Sequence, residues 1–328
     1  MTSTYLKVMR PAQVTVGPHI KKIAIVNRTV PEKKAVNIIE GILTGEMPGR
    51  DKQGVQKAID GLQESFINSP RFEVIRTNEE LKGSGIGDML PTPLNWTVIT
   101  DLCKKYQVDA ILAVENYDSD FIITKGDKIN KKVNEKGDTI KVLEYYAEGI
   151  ATVNLGYRLY DPQKKAIVDQ LQNSNKNKWN TKGNSVQDAL VQLIDANTAI
   201  QRVSFASGGN YGSRITPNWV SVRREFYKKN KRDSYFTIGS RKAQVNDWNG
   251  AADYWLKATQ SRSSKVAGKA CYNLALAYEV LGDLDGAKKW VTTSYADYGN
   301  KKARRYSYLI DGRIWEMQKL NEQMSQAN

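Results

Sequence analysis

The sequence predicts an α+β chain in two parts: a mixed β-sheet with packed helices over residues 1–207, then an all-α helical repeat domain over residues 216–328. Three observations carry this expectation. Short apolar runs and period-two stretches alternate with amphipathic helical spacings through the first half. In the second half a helix–turn–helix pattern occurs twice at an offset of 36 residues. Between them, FASGGNYGSRITP (Phe205–Pro217) has the glycine, serine and proline content of a hinge between domains.

The elements of the first half follow in order. Ile23–Val26, behind Lys21 and Lys22, is a continuous apolar run that fits a buried strand. Val55, Ala58, Ile59, Leu62 and Phe66 mark one helix face, which Asn68–Pro70 ends before a strand at Phe72–Ile75. A second helix spans about Asn95 to Tyr106, with Val98, Ile99, Leu102, Cys103 and Tyr106 on one side, and leads into the strand Ala110–Glu115. Phe121–Thr124 and Val142–Tyr146 then read as a hairpin around a charged tip, Lys125–Asp138. Ala151–Tyr160 alternates, with Val153, Leu155, Tyr157 and Leu159 on one face, and Asp161-Pro162 turns it into Ala166–Leu171. One last helix runs from Ser185, with Val186, Ala189, Leu190, Leu193 and Ile194 on its face. The order β-α-β-α-β-β-β-α implies a mixed sheet covered by helices.

In the second half, Val266–Tyr298 reads as a helix, an LGDLDGA turn and another helix. Cys271, Leu274, Ala275, Tyr278 and Leu281 keep helical spacing on the first arm, and Ala287, Val291 and Ser294 on the second. Gly282 and Asp283 separate the arms, since glycine tolerates positive φ and aspartate caps the next helix. Upstream, Ile238–Gly239 matches Leu274–Ala275, Asp247–Trp248 matches Asp283–Leu284, and Ala251 matches Ala287. This unit resembles the tetratricopeptide repeat family, whose period is roughly 34 residues. It departs from that family at Cys271, where Trp is usual, and at Gly299, where Pro is common. Trp219–Asn230 and Arg304–Gln323 are expected as flanking helices, the latter with Tyr308, Ile310, Ile314, Trp315, Met317 and Leu320 as its apolar stripe. The resemblance implies a concave groove lined by the first helix of each pair. Its partner-contacting positions would be Phe236, Ser240, Gln244, Lys269, Tyr272, Leu276 and Glu279, with Tyr272 as the anchor.

The strings KKIAIVNRT, NSPRFEVI, KKYQVDAILAVENY and ATVNLGYRLYDPQKKAIV resemble the N-terminal domain of the TolB and curli-secretion (CsgG-like) envelope proteins over about Ile20–Ala199. The opening YLKVMRPAQVTVGPHIKKIAIVNR, joined to a repeat-bearing second half, also resembles a group of bacteroidete outer-membrane lipoproteins. That resemblance implies a periplasmic, outer-membrane-anchored lipoprotein, with its leader absent from this chain and Met1 standing where the family has its lipidated Cys, upstream of Thr2. A CsgG-like pore would require long alternating hairpins. The charge of Lys125–Asp138 argues against one.

Composition narrows the chemistry. Hydrophobic residues make up 40% of the chain, and no run approaches the roughly 18–20 apolar residues of a membrane helix. MTSTYLKVMR has no apolar core and is not a signal peptide. The sole histidine, His19, reads as a surface residue before a strand; every Ser-His-Asp or Cys-His site would have to use it. Cys103 and Cys271 fall on apolar helix faces and read as buried free thiols. Gly83–Gly87 (GSGIG) imitates a phosphate loop but lacks the Lys-Ser/Thr that would complete it, and Asp118 and Asp120 read as solvated carboxylates. No catalytic, metal or cofactor site is expected. The net charge of +14 is uneven: residues 210–328 have 21 Lys+Arg against 11 Asp+Glu, and residues 1–209 have 28 against 24. Arg223, Arg224, Lys228, Lys231, Lys301, Lys302, Arg304 and Arg305 are the candidate anionic-surface residues. The expected function is a non-catalytic envelope lipoprotein that scaffolds protein partners at the periplasmic face of the outer membrane, with anionic lipid or polysaccharide as further partners. The alternative is a binder of nucleic acid or another anionic polymer through the basic half.

Overall fold

The computed structural model describes residues 1–31, 50–67, 69, 71–83, 90–228 and 233–325. The expected phosphate-loop imitation at Ser84–Gly87 and the cation Lys231 lie outside the described residues, as do Asn68 and Pro70. Among the described residues the chain forms seven strands and nine helices in two units: an α/β unit, Ala12–Thr216, and a helical unit, Met1–Pro11 with Pro217–Ser325.

The α/β unit is built on β2 (Lys22–Pro31), β3 (Glu73–Gly83), β4 (Ala110–Val133), β5 (Thr139–Asp161) and β6 (Ala166–Gly183). They form one mixed sheet in the order β3-β2-β4-β5-β6. β2 runs parallel to both β3 and β4, while β4–β5 and β5–β6 are antiparallel. Alternation within β2 sends Ile23 and Ile25 to one face and Ala24 and Val26 to the other, because successive side chains of a strand point oppositely. The first face packs against α1 (Arg50–Ile67) through Val55, Ala58, Ile59, Leu62 and Phe66. The second packs against α2 (Trp96–Tyr106) through Ile99, Leu102 and Cys103. Asn95 caps α2 by accepting from the Thr97 amide, and Gln107 ends it with left-handed φ of 53°. The alternation predicted for Ala151–Tyr160 places Val153, Leu155, Tyr157 and Leu159 in the α1-side core.

Three expectations for this unit are corrected. The helix from Ser185 is two helices, α3 (Val186–Val191) and α4 (Ala196–Ile215), because Asp195 caps a new start by accepting from the Thr198 amide. His19 is part-buried, with Nε2 2.8 Å from Oδ2 of Asp161. Of the hinge expected at Phe205–Pro217, Phe205–Ile215 are the end of α4, so the boundary at residue 207 falls inside a helix; the units divide at Thr216–Pro217, the last two residues of that stretch. Its glycines are contact points between helices. A methyl group at Gly208 would overlap the Ala58 carbonyl, one at Gly212 the Ser65 hydroxyl, and one at Gly61 the Phe205 carbonyl. The α1–α4 crossing therefore brings backbone against backbone, which only glycine allows. The chain leaves this unit after Thr216, one residue beyond the helix end.

The hairpin is also longer than its sequence suggested. β4 and β5 stay paired from Ile111↔Tyr160 to Val133↔Thr139, and the turn is only Asn134–Asp138. The Asn134 side chain accepts from the Lys136 and Asp138 amides, and Gly137 takes φ of 87°. With β6 paired through Tyr145↔Gly183, the three strands extend as an arm well beyond the part of the sheet shared with β2 and β3.

In the helical unit the regular elements from Ser234 to Ser325 are all helices, as expected, but the unit also holds a two-stranded ribbon. The expected helix at Trp219–Asn230 is the strand β7 (Asn218–Phe226), which pairs antiparallel with β1 (Thr2–Arg10) from Thr2↔Phe226 to Arg10↔Asn218. Leu6 and Val8 of this ribbon enter one core with α5 (Ser234–Gln244), α6 (Trp248–Ala258), α7 (Ser264–Leu281), α8 (Leu284–Ala296) and α9 (Lys301–Ser325). The two helix pairs share a cap: Asp247 accepts from the Gly250 amide and Asp283 from the Gly286 amide. Cys103 and Cys271 are buried and free, and burial pushes each thiol up to about 12, so both stay protonated at neutral pH. Among the described residues, no helix is long and apolar enough to cross a membrane.

Gly208→Ala should destabilise the protein by about 3 kcal/mol, because the added methyl forces α1 and α4 apart. Chemical denaturation measures it; a variant of wild-type stability would return this stretch to the status of a linker.

Candidate functional site

The groove positions named from the sequence surround an extended segment of the chain itself. Phe236, Ser240 and Leu276 have no exposed surface, and Tyr272 and Glu279 are buried at 7% and 6%. Lys269 is half-buried, and Gln244 alone of the seven is exposed. What covers them is the end of β7 and the residue after it. Asn273, on α7, grips the backbone of Tyr227 at two points: its Oδ1 accepts from the Tyr227 amide at 2.8 Å, and its Nδ2 donates to the Tyr227 carbonyl at 2.9 Å. Ser240 Oγ lies 3.0 Å from the same carbonyl. The Tyr227 ring meets Tyr272 edge-on at 5.3 Å, and the Lys269 ammonium sits 5.0 Å from its centroid. The Tyr227 hydroxyl donates to Asn300 Oδ1 at 3.0 Å.

A charged clasp closes the other end of the segment. Arg224 donates from Nε and Nη2 to the Glu279 carboxylate, at 2.9 and 2.8 Å. The Tyr306 hydroxyl donates to Glu279 Oε2 at 2.6 Å. Burial alone would lower the Arg224 guanidinium, but the bond and charge of Glu279 outweigh it and hold the group above its ordinary range. Burial, reinforced by Glu279, keeps the Tyr306 phenol well above its ordinary range and therefore neutral. Two sequence assignments are thus corrected. Arg224 is not an anionic-surface residue, since its charge is taken by Glu279. Ser240, Lys269, Tyr272 and Glu279, named as partner-contacting positions, are occupied by the chain's own Arg224 and Tyr227.

The remaining cations lie elsewhere. Lys228, Lys301, Lys302, Arg304 and Arg305 are exposed, as is Arg223, which pairs with Glu225 at 2.7 Å. The last helix shows an open basic and aromatic face. Tyr308 and Trp315, expected in its apolar stripe, are 65% and 59% exposed, whereas Ala303, Tyr306, Ile310 and Leu320 face the core. Arg304, Tyr308 and Trp315 stand four and seven residues apart, in one line along the helix. A hydrogen bond to Tyr308 raises the Arg304 guanidinium above its ordinary range. No acidic residue lies in the first turn, Asp311 is taken by Lys288, and Glu316 by Arg313. Clustered cations at a helix N-terminus oppose the macrodipole, so Lys301–Arg305 cost the fold stability.

A polar cluster missed in the sequence lies just past Asn27↔Val114, where the parallel pairing of β2 with β4 ends, the switch point at which open α/β sheets bind ligands. Glu115 is 1% exposed and accepts from Arg28 Nη1 at 2.7 Å and from the Tyr160 hydroxyl at 2.5 Å. Arg28 also donates to the Thr92 carbonyl at 2.8 Å, and Arg158 to the Pro91 carbonyl at 2.5 Å. These charges are spent on one another and on the backbone entering α2, which makes the cluster a structural clasp. Its signal was a charged residue interrupting or ending an apolar run: IAIVNR, ILAVE and LGYR.

Glu279→Ala should destabilise the chain by about 3–5 kcal/mol, because it strands Arg224 and the Tyr306 hydroxyl in a buried site. Gln244→Ala should stay within about 0.5 kcal/mol. Equal melting curves for the two variants would show that the clasp does not hold the segment.

No curated protein matches the chain. Among solved structures, a neuraminyllactose-binding hemagglutinin homolog from Helicobacter pylori is similar over 60% of this chain and 82% of its own, with 12% identity and a TM-score of 0.26. A family model described as "Domain of unknown function (DUF6340)" matches residues 237–317, within the helical unit. A second model matches residues 20–227, most of the chain, and by that match the protein belongs to the family described as "Domain of unknown function (DUF8603)".

Proposed function

We propose that the protein is a non-catalytic scaffold of the cell envelope, lipid-anchored at the periplasmic face of the outer membrane, whose helical unit rests on an anionic membrane surface through the outer face of α9. The observation that carries this reading is that face: exposed Tyr308, Leu309 and Trp315 beside Lys301, Arg304 and Arg305, whose charges no acidic residue of the helix offsets. Aromatic and aliphatic groups flanked by Lys and Arg are what a headgroup layer accepts, since the rings enter its boundary while the cations meet phosphate. The concave groove is a poorer partner site, because Arg224–Tyr227 fill it. The equivalent caps at Asp247 and Asp283, and the buried Ala251 and Ala287, support a tetratricopeptide-type reading of α5–α8. The β2-α1-β3-α2-β4 crossovers support the TolB/CsgG-like reading of the other unit.

The full chain should cosediment with phosphatidylglycerol vesicles and not with phosphatidylcholine vesicles. Arg304→Glu with Arg305→Glu should weaken that binding about tenfold or more, at roughly 1 kcal/mol per basic residue near the surface. Tyr308→Ala with Trp315→Ala should weaken it at high salt as well, where the charge contribution is screened. Binding that survives both double variants sinks the proposal.

A further inference from the structure

The β4–β5–β6 arm has a second concentration of cations, in a different unit from α9. Cross-strand register places Lys128 opposite Glu144, and Tyr146 between Gly126 and Lys182. Three lysines converge on one carboxylate: Lys182, Lys128 and Lys132 lie 2.8, 3.7 and 3.8 Å from the oxygens of Glu144. Glu144 is 7% exposed and also accepts from Asn130 Nδ2 at 3.0 Å, so it is fixed at the base of the cluster. The lysine side chains are 50%, 58% and 65% exposed (Lys128, Lys132, Lys182), which leaves their ammonium groups within reach of solvent. Beside them opens a groove of 570 Å³ lined by Lys128, Tyr146, Glu148, Asn180, Thr181 and Lys182. Glu148 is engaged by Lys178 at 2.5 Å. Four lysines therefore face two glutamates, a local charge of +2.

One carboxylate cannot satisfy three ammonium groups. Lys128 and Lys132, at 3.7 and 3.8 Å, lie beyond ordinary hydrogen-bond length and keep donors to spare. The floor of the groove is flat and aromatic: the Lys128 ammonium sits 5.3 Å from the Tyr146 ring centroid. Across the strand, Gly126 brings no side chain over that ring, where even a Cβ would only reach contact at 3.5 Å. Asn180 adds a neutral amide at the rim.

We propose that this groove is a binding site for an oxyanion, a phosphate or sulfate ester, held by Lys128, Lys132 and Lys182 with the uncharged part of the ligand against Tyr146. Glu144 pre-positions the lysines and, as the nearest negative charge, limits the affinity. This inference does not depend on the membrane contact of α9.

The full chain, with Arg304→Glu and Arg305→Glu to silence α9, is titrated with inorganic phosphate and followed by calorimetry and by NMR of the lysine side chains. Saturable binding is expected, with the Lys128, Lys132 and Lys182 signals shifting. Lys182→Gln, at an exposed position that the fold tolerates, should weaken binding about fivefold. Glu144→Gln should tighten it by a similar factor, because a carboxylate about 4 Å from the anion no longer repels it. A purely structural Glu144 would leave affinity equal or lower in Glu144→Gln, and that result overturns the site, as does phosphate binding indifferent to Lys182→Gln. Vesicles of equimolar phosphatidylglycerol and phosphatidylcholine distinguish the sources: binding sensitive to Lys182→Gln marks a lipid headgroup, and phosphate binding without it marks a soluble ester.

Discussion

The helical unit depends on the pairing of β1 with β7, which joins Thr2–Arg10 to Asn218–Phe226 over nine register pairs. The ribbon contributes Leu6, Val8 and Phe226 to the core shared by α5–α9. An isolated two-stranded ribbon is marginal in water, so this one persists because its inner face is buried on helices. The helices in turn gain a covered face, since stacked helix pairs leave their concave side open unless something occupies it. The chain supplies the occupant itself, and Asn273, Glu279 and Asn300 hold it by backbone and side-chain hydrogen bonds.

A different constraint organises the α/β unit. Gly61, Gly208 and Gly212 let α1 and α4 approach until side chains would collide with backbone, and both helices then cover the same face of the sheet. The glycines reduce intrinsic helix propensity by about 1 kcal/mol each. Packing of Ile200, Val203, Tyr211 and Ile215 against the sheet offsets that loss. The sheet then continues into the arm, where, among the described residues, the edge of β4 facing away from β5 beyond Val114 and the outer edge of β6 have no neighbouring strand. Lysines along both strands discourage edge-to-edge pairing with another chain, and on one face they also create the charge that converges on Glu144.

The candidate site was legible in part. Helical spacing and repeat alignment named Ser240, Lys269, Tyr272 and Glu279 as partner-contacting positions, and in the structure these four touch the chain's own segment Arg224–Tyr227. Nothing in that spacing names the segment, because Tyr227 and Asn273 meet through the fold and not through proximity along the chain. The open face of α9 shows the converse. Tyr308 and Trp315 are as apolar as core residues, so periodicity alone assigned them inward; the neighbours that cover Ile310 and Leu320 leave them in solvent.

Local patterns in the sequence determined the strands at Ile23–Val26 and Ala151–Tyr160, the helices at Val55–Phe66 and Asn95–Tyr106, and the paired caps at Asp247 and Asp283. Each is set by side-chain period or by hydrogen bonds within a few residues. Tertiary structure alone decided three matters. It made a glycine-rich stretch a helix, because another helix fits against it. It made Trp219–Phe226 a strand, because its partner begins at Thr2. It turned a short charged hairpin into a long arm, because β5 offers both neighbours a continuous edge. In each case the deciding contact comes from residues distant in sequence, and a local pattern contains no record of them.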